Sequence, residues 1–331
     1  MSLHLLEVRN LDVYYYKTKV VSEVSFNINR NEVFALVGES GCGKTTIANT
    51  ILRILPEIAS IGEHSSILYY KSDSEVIDLL KAPEDYLSEN IRWKEISMVF
   101  QGAQNALNPT LKVKDHFIET ARAHGIRDKG IILKNAEEVL EAVKLDAPRV
   151  LNSYPMELSG GMKQRVIIAL ALFLKPKFVI LDEPTTALDV IVQREIIYLL
   201  KELKERFNLT YLLITHDIAL VADIADRIAI MYAGRIVEEG SVEDIFYRPM
   251  HPYTIGLLKS VPKIGDFERE PESISGSPPD YRRLPPGCPF HPRCPYAKDI
   301  CRKRKPNLIN IKGRRIACHL YLENEKVIAY E

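Results

Sequence analysis

The chain has one tryptophan, no net charge and no long apolar run in its 331 residues. Lys and Arg together number 44, as do Asp and Glu, so there is no global basic field to hold a nucleic-acid backbone, and no nucleic-acid partner is expected. The longest uninterrupted apolar stretch, Val166 to Leu174, is nine residues, well short of the roughly 20 that a membrane-spanning helix needs. The N-terminus, Met1-Ser2-Leu3-His4-Leu5-Leu6-Glu7, lacks a basic segment followed by an apolar core, so no secretory leader is expected and the chain is expected in the cytoplasm. Cysteine is scarce as well: five residues, four of them after residue 287. In a reducing compartment such cysteines are metal ligands or free thiols rather than disulfides. What remains is a globular composition, 46% hydrophobic and 27% charged, on a length that suggests about two domains.

The stretch that organises the rest is Val33 to Thr46. An apolar run, Val33 to Val37, reads as a strand buried on both faces. Gly38-Glu39-Ser40-Gly41-Cys42-Gly43-Lys44-Thr45 then fits G-x-x-x-x-G-K-S/T, and Ile47, Ile51 and Leu52 suggest a following helix. Strand, glycine loop and helix are the context this motif requires. Its glycines let the loop curl so that successive N–H groups, through Thr46 at the helix start, face an anion. Lys44 is placed to bridge β- and γ-phosphates and Thr45 to ligate Mg²⁺. Cys42 reads as a small loop residue.

Around it, Leu5–Val13 and Val20–Ile28 alternate as two antiparallel strands joined near Lys17-Thr18-Lys19, with Tyr14, Tyr15 and Tyr16 closing the first. An aromatic there is either an ordinary sheet residue or a platform for a purine. Ser66–Lys71 and Glu75–Leu79 suggest a hairpin, and Ile96–Phe100 a second buried strand ending at Gln101. From 102 to about 160 the pattern turns helical, with Val113–Ala123 and Ile132–Val143 amphipathic and Pro148 and Pro155 as breakers, which suggests a helical insertion in an α/β domain. Met162–Leu174 predicts a helix apolar on nearly all sides. Phe178–Leu181 and Tyr211–Thr215 predict further strands, Val190–Arg206 and Ile218–Ile224 helices, and Arg227–Tyr232 with Arg235–Glu239 a hairpin on Ala233-Gly234. Beyond Gly240 come short helices at Val242–Phe246 and Pro252–Ser260, a linker-like stretch from Glu268 to Gly287, and a Cys- and Arg-rich end with little evident core.

Two further elements carry chemistry. Phe178–Leu181 runs directly into Asp182-Glu183, where ligands gather at the C-terminal ends of parallel strands. Asp182 fits a Mg²⁺-associated carboxylate and Glu183 a general base for an attacking water. The alternative is an acidic pair capping a helix. Leu158-Ser159-Gly160-Gly161-Met162 opens a helix with a hydroxyl and several unpaired N–H groups facing outward. That is either a second anion site or a plain helix cap.

In order and spacing, Gly38–Thr45, Gln101, Leu158–Met162, Ile180-Leu181-Asp182-Glu183-Pro184, Thr186-Ala187-Leu188-Asp189 and Thr215-His216-Asp217 resemble the nucleotide-binding subunits of ABC transporters over residues 3 to about 262. The resemblance implies a P-loop NTPase (RecA-like) core with an antiparallel β subdomain, a helical subdomain at about 102–160 and a small Cys-containing extension, divided as 1–240 and 241–331. It implies ATP and Mg²⁺ as ligands, bound between residues 38–46 of one subunit and Ser159, Gly160 and Gly161 of a second, identical or paralogous, in a head-to-tail dimer. Tyr15 matches the adenine-stacking aromatic, Gln101 a sensor of Mg²⁺ and the attacking water, His216 a γ-phosphate contact, and Asp189 a link between the two sites. The dimer would close on ATP and open on hydrolysis.

Phe100-Gln101 with Ala106-Leu107-Asn108-Pro109, then His251-Pro252-Tyr253-Thr254 and Cys288-Pro289-Phe290-His291-Pro292-Arg293-Cys294-Pro295, resemble the oligopeptide/dipeptide-importer branch. That implies two transmembrane permease subunits, an extracellular solute-binding protein and a place on the cytoplasmic face of the membrane. Oligosaccharide or nickel cargo is the alternative, and a soluble repair or translation ATPase is a more distant one. Gly102-Ala103 and Met156 depart from the branch near the expected permease contact. Cys288, Cys294, Cys301 and Cys318 are separated by five, six and sixteen residues, which lacks the short knuckles of a zinc ribbon. A [4Fe–4S] cluster suits the wide spacing, zinc on four thiolates or with His291 or His319 is an alternative, and unligated cysteines a third reading.

Overall fold

The computed structural model describes residues 4–102, 105–261 and 272–321. Ala103 and residues 268–271 of the linker-like stretch lie outside the described residues. The chain divides into two compact units, one of residues 1–5, 28–33 and 69–214, the other of residues 6–27, 34–68 and 215–331.

The first unit is built on three parallel strands, β7 (Ile96–Val99), β8 (Phe178–Asp182) and β9 (Thr210–Thr215), with Met98 opposite Ile180 and Ile180 opposite Leu212. Every residue of these strands is buried, which explains their unbroken apolar runs. A hairpin closed by Lys71 N–H on the Glu75 carbonyl (3.0 Å) leads into β6 (Val76–Asp78). After a short helical stretch, α2 (Glu84–Tyr86) with a wide turn at Leu87–Ile91, come α3 (Val113–Ala123), α4 (Lys129–Ala142) and α5 (Ala147–Asn152). Asp128 and Asp146 cap α4 and α5 through their carboxylates, as the capping rule expects. Phe117 of α3 meets Phe173 edge-on at 5.2 Å, just past the end of α6 (Gly160–Leu172). Every residue of α6 from Val166 onward is buried, which is why that helix carries no polar face. The helix α7 (Val190–Phe207) starts on Asp189 and ends at Asn208, whose left-handed φ of 51° closes it.

In the second unit β1 (His4–Tyr15) and β2 (Thr18–Asn29) form the expected hairpin, but the turn falls at Tyr16-Lys17, earlier than the sequence suggests. Tyr14 and Tyr15 therefore stay in the strand and Tyr16 takes the turn's positive φ of 53°. The short strand β4 (Ala59–Ile61) pairs antiparallel with β1, placing Ala59 opposite Tyr15, and β5 (Ser66–Tyr70) also joins β1. A second set runs in the order β12-β13-β11-β10-β3, from β12 (Ile309–Ile311) and β13 (Arg314–Ile316) through β11 (Arg235–Ser241) and β10 (Arg227–Tyr232) to β3 (Val33–Val37). The β10–β11 turn is at Ala233-Gly234 with φ of 47° and 76°. A β-carbon on Gly234 would meet the Val20 carbonyl oxygen at 2.4 Å, so the turn needs glycine for space as well as for φ.

The C-terminal residues are better packed than their composition suggests. β13 extends this set by pairing with β11, Glu238 opposite Ile316. Arg314 reaches Glu238 at 2.7 Å, while Arg227 and Arg315 both grip Glu239. Phe290 and Ile316 are buried, and the short helices α8 (Ile218–Val221), α9 (Val242–Tyr247), α10 (Pro252–Lys259) and α11 (Asp299–Lys303) complete the unit.

Candidate nucleotide site

β3 delivers the chain to the phosphate loop and α1 (Lys44–Ile51) takes it away. Gly41 and Gly43 adopt φ of 78° and 103°, and Gly43 occupies the cap position of α1. Gly38 serves a different need: a β-carbon there would stand 2.3 Å from the Met231 carbonyl oxygen. The buried Lys44 ammonium donates to the carbonyls of Gly38 (2.7 Å) and Glu39 (3.0 Å), so it lies along the inner curve of the loop. Ser40 is exposed, and Thr45 and Thr46 are half-buried in the first turn of α1. Cys42 is buried, which pushes its thiol up, and its carbonyl accepts the Gly234 N–H at 3.1 Å. In the same unit Tyr15 lies half-buried at the end of β1, and His216 is exposed just after β9. Asp217 next to it caps α8 through its carboxylate.

The first unit holds the acidic residues and the Ser-Gly-Gly tip. Asp182 is the buried last residue of β8. Glu183 leaves the strand with φ 47° and its N–H on the Ile214 carbonyl (2.8 Å). Its carboxylate accepts from Gln101 Nε2 at 3.1 Å and Thr186 Oγ1 at 2.9 Å. The structure therefore brings Gln101 and Glu183 together across 82 residues of sequence, and Thr186 is a contact that sequence reasoning missed. Neither acidic residue caps a helix, because α7 begins at Val190 on Asp189, whose Oδ1 accepts the Val192 N–H at 3.0 Å. The capping reading of Asp182-Glu183 is thereby excluded.

Ser159 and Gly160 are exposed at the start of α6, and Ser159 Oγ accepts the Met162 N–H at 3.3 Å. The tip is thus a helix cap in this conformation, with its serine and first glycine open to solvent. A β-carbon on Gly161 would come within 2.8 Å of Val192 Cγ1, so close packing of α6 on α7 favours glycine there.

The four late cysteines influence one another. Burial and the nearby Cys288, Cys294 and Cys301 push the Cys318 thiol up to about 12. Burial, with Cys301 and Cys294 alongside, takes Cys288 up to about 11. The Cys288 N–H also binds the Cys301 carbonyl at 2.8 Å. Among the described residues, however, no group of three or more His, Cys, Asp or Glu side chains has the arrangement that holds a metal ion. The sequence expectation of a metal centre gains a shared neighbourhood and no formed ligand sphere. Among the described residues no helix is long and apolar enough to cross a membrane.

This arrangement is that of an ATP-binding cassette. Residues 21–186 match the sequence model of the ABC transporter family, and residues 237–301 match the oligopeptide/dipeptide transporter C-terminal region. The dipeptide transport ATP-binding protein DppD of Caldanaerobacter subterraneus subsp. tengcongensis is 48% identical over 307 residues, 92% of either chain. The oligopeptide transport ATP-binding protein AppD of Bacillus subtilis is 43% identical over 326 residues, 96% of this chain and 97% of that one. A solved post-hydrolysis dimer of an ATP-binding cassette bound to ADP and Pi matches with a TM-score of 0.61 at 29% identity, covering 72% of this chain and 99% of that one. The chain belongs to the ABC transporter family, as an ATP-hydrolysing cassette. Within the family, it carries the C-terminal region of the oligopeptide/dipeptide transporters.

Proposed function

We propose that the protein hydrolyses ATP to drive peptide uptake, at the cytoplasmic face of the membrane, with a second ATPase subunit, two permease subunits and an extracellular solute-binding protein. The observation that carries this reading is the C-terminal region at 237–301 following the cassette match, in a chain whose relatives are dipeptide and oligopeptide transport subunits. In the proposed site the loop N–H groups of residues 38–46 and Lys44 hold the β- and γ-phosphates, and Tyr15 stacks on adenine. Thr45, Asp182 and Gln101 would hold Mg²⁺, which would neutralise charge on the phosphates. Glu183 takes the proton of the attacking water, with Gln101 and Thr186 fixing its carboxylate. His216 contacts the γ-phosphate. Ser159, Gly160 and Gly161 of the partner subunit cover the same triphosphate, and Asp189 couples the two sites. The dimeric state of the ADP- and Pi-bound cassette supports this pairing.

The base assignment is tested with Glu183→Gln, which should bind MgATP while turnover falls roughly 10²–10⁴-fold. Turnover near wild type reassigns the base. Cargo is tested by ATPase stimulation in the reconstituted transporter. Stimulation by peptides is expected, and stimulation only by oligosaccharide or nickel overturns that part.

The four cysteines are proposed as ligands of a [4Fe–4S] cluster. A lone zinc needs sulfurs about 2.3 Å from one centre, whereas a cluster spreads four thiolates over four irons. When bound, the cluster would cross-link the C-terminal segment, and loading it requires the raised thiols to lose their protons. Anaerobic purification should give iron and labile sulfide near four per chain. One zinc per chain rejects the cluster.

A further inference from the structure

The phosphate loop is gripped from behind by the C-terminal residues of its own unit. The Arg293 guanidinium holds the Glu39 carboxylate with both terminal nitrogens, Nη1 to Oε2 at 2.8 Å and Nη2 to Oε1 at 2.9 Å. Its Nε donates to the Ser275 carbonyl at 2.9 Å, and the guanidinium lies 5.7 Å from the centre of the Tyr232 ring. The Arg293 side chain is 6% exposed and that of Glu39 24%. Tyr253 Oη accepts the Glu39 N–H at 3.0 Å, and Phe290 packs against both Tyr232 and Tyr253 at 5.1 and 5.4 Å. The Glu39 carbonyl accepts from Lys44 and from the Cys42 N–H. Amide, carbonyl and carboxylate of one loop residue are therefore all fixed, two of them by residues 214 and 254 positions away.

A fork-to-fork arginine–carboxylate pair sets orientation as well as distance. Salt screens such a largely buried pair much less than an exposed one. Fixing Glu39 fixes the peptide planes on either side of it, and those planes aim the loop N–H groups. We propose that Arg293 is a positioning residue for ATP binding: by clamping Glu39 it holds the phosphate loop in the curl that receives the triphosphate, and the C-terminal segment is thereby part of the nucleotide site. This rests on the reading of residues 38–46 as the phosphate cradle. The competing account is a tether that adds stability and leaves nucleotide affinity alone.

MgATP titration of the full chain separates the two. Glu39→Gln keeps the shape of the side chain and removes its charge, and Arg293→Lys keeps the charge and removes the fork. Each should raise the MgATP Kd roughly five- to thirtyfold. The double variant should be no weaker than the weaker single, because both remove one interaction. In the assembled transporter KM for ATP should rise while kcat stays within about twofold, since a positioning contact shared by ground and transition states affects binding alone. Coupling is reciprocal, so in the unmodified chain MgATP must slow amide exchange at Phe290, His291, Arg293 and Cys294 beyond the uniform slowing that ligand binding gives the rest of the unit. That measurement needs no variant and decides the matter if Arg293→Lys does not fold. An unchanged Kd in Glu39→Gln, or exchange at 290–294 slowed by MgATP no more than in the rest of the unit, overturns the clamp. Lys44→Ala binding MgATP as tightly as wild type overturns the cradle reading beneath it, a failure distinct from that of the clamp.

Discussion

Replacing Gly38 with alanine is a severe one-methyl perturbation of the phosphate loop. The new β-carbon would lie 2.3 Å from the Met231 carbonyl oxygen and 2.9 Å from Cys42 Sγ. Even attractive carbon–oxygen contacts settle at roughly 3.3–3.6 Å, so about 1 Å of relief is needed. The oxygen belongs to β10, whose backbone is paired with β3 at Ala229↔Leu36 and Ile230↔Val37, so it cannot swing aside as a side chain would. Either β10 gives or the loop lifts. Overpacking costs about 1–3 kcal/mol, and a backbone obstacle puts this substitution near the upper figure. A loop lifted by about 1 Å also misaims its N–H groups, which weakens their hydrogen bonds to a phosphate. Gly41→Ala is the internal control: its β-carbon has nothing within 4 Å, and only its φ of 78° is strained. That strain is worth about 1–2 kcal/mol. Urea unfolding and MgATP titration of the full chain should rank Gly38→Ala well below Gly41→Ala in both stability and affinity. Gly38→Ala matching wild type in both would refute the argument that β10 forms the back wall of the loop.

Two other perturbations test the packing. Phe117 is fully buried against Phe173, so Phe117→Ala should cost about 3–5 kcal/mol in denaturant unfolding, and a loss under about 1 kcal/mol would place that pair outside the core. Burial pushes His251 from 6.5 down to about 3, with its Nδ1 accepting the Tyr253 N–H at 3.0 Å. Because its folded pKa lies below the unfolded one, the unfolded chain takes the proton first. Stability is therefore lost as pH falls from 6.5 toward 3, by up to about 1.4 kcal/mol per unit. The buried Glu238, which accepts the His251 N–H, has its carboxyl raised by burial and acts with the opposite sign. The difference from His251→Asn isolates the histidine: the variant's stability should fall less steeply over that range, and parallel curves would show that the ring is not held neutral.

Local features were legible in the sequence and long-range ones were not. The strands β3, β8 and β9 announced themselves because burial on both faces leaves no room for polar alternation. The phosphate loop was readable because its requirements, two glycines with positive φ and a lysine that curls back, fall within eight contiguous residues. The contact between Gln101 and Glu183 spans 82 residues and has no local signature, so only the resemblance to a family suggested that the two share a site. β12 and β13 escaped because each is three residues long and carries polar side chains. Their turn was nonetheless written in Lys312-Gly313 between two short isoleucine-bearing runs, and both residues take positive φ, 51° and 84°. The Ser159 tip is the opposite case. Its sequence allowed both a cap and an anion site, and the observed cap does not decide between them, since one hydroxyl can serve either partner.

Lys44 shows how the curl of the loop is held from within. A buried ammonium without acceptors would be costly, and here the Gly38 and Glu39 carbonyls supply them at 2.7 and 3.0 Å. The same two carbonyls pin the lysine along the curve of the loop, so little side-chain freedom is left to lose on binding. On the proposed reading a triphosphate would draw Lys44 from neutral carbonyl oxygens to charged ones, an exchange that favours the ligand because charge-assisted hydrogen bonds are roughly twice as strong. Glu39 is where this internal satisfaction meets the C-terminal segment, since its carbonyl serves Lys44 while its carboxylate serves Arg293. On the proposed clamp, a loop curled around its own lysine keeps its aim as well as that anchor holds.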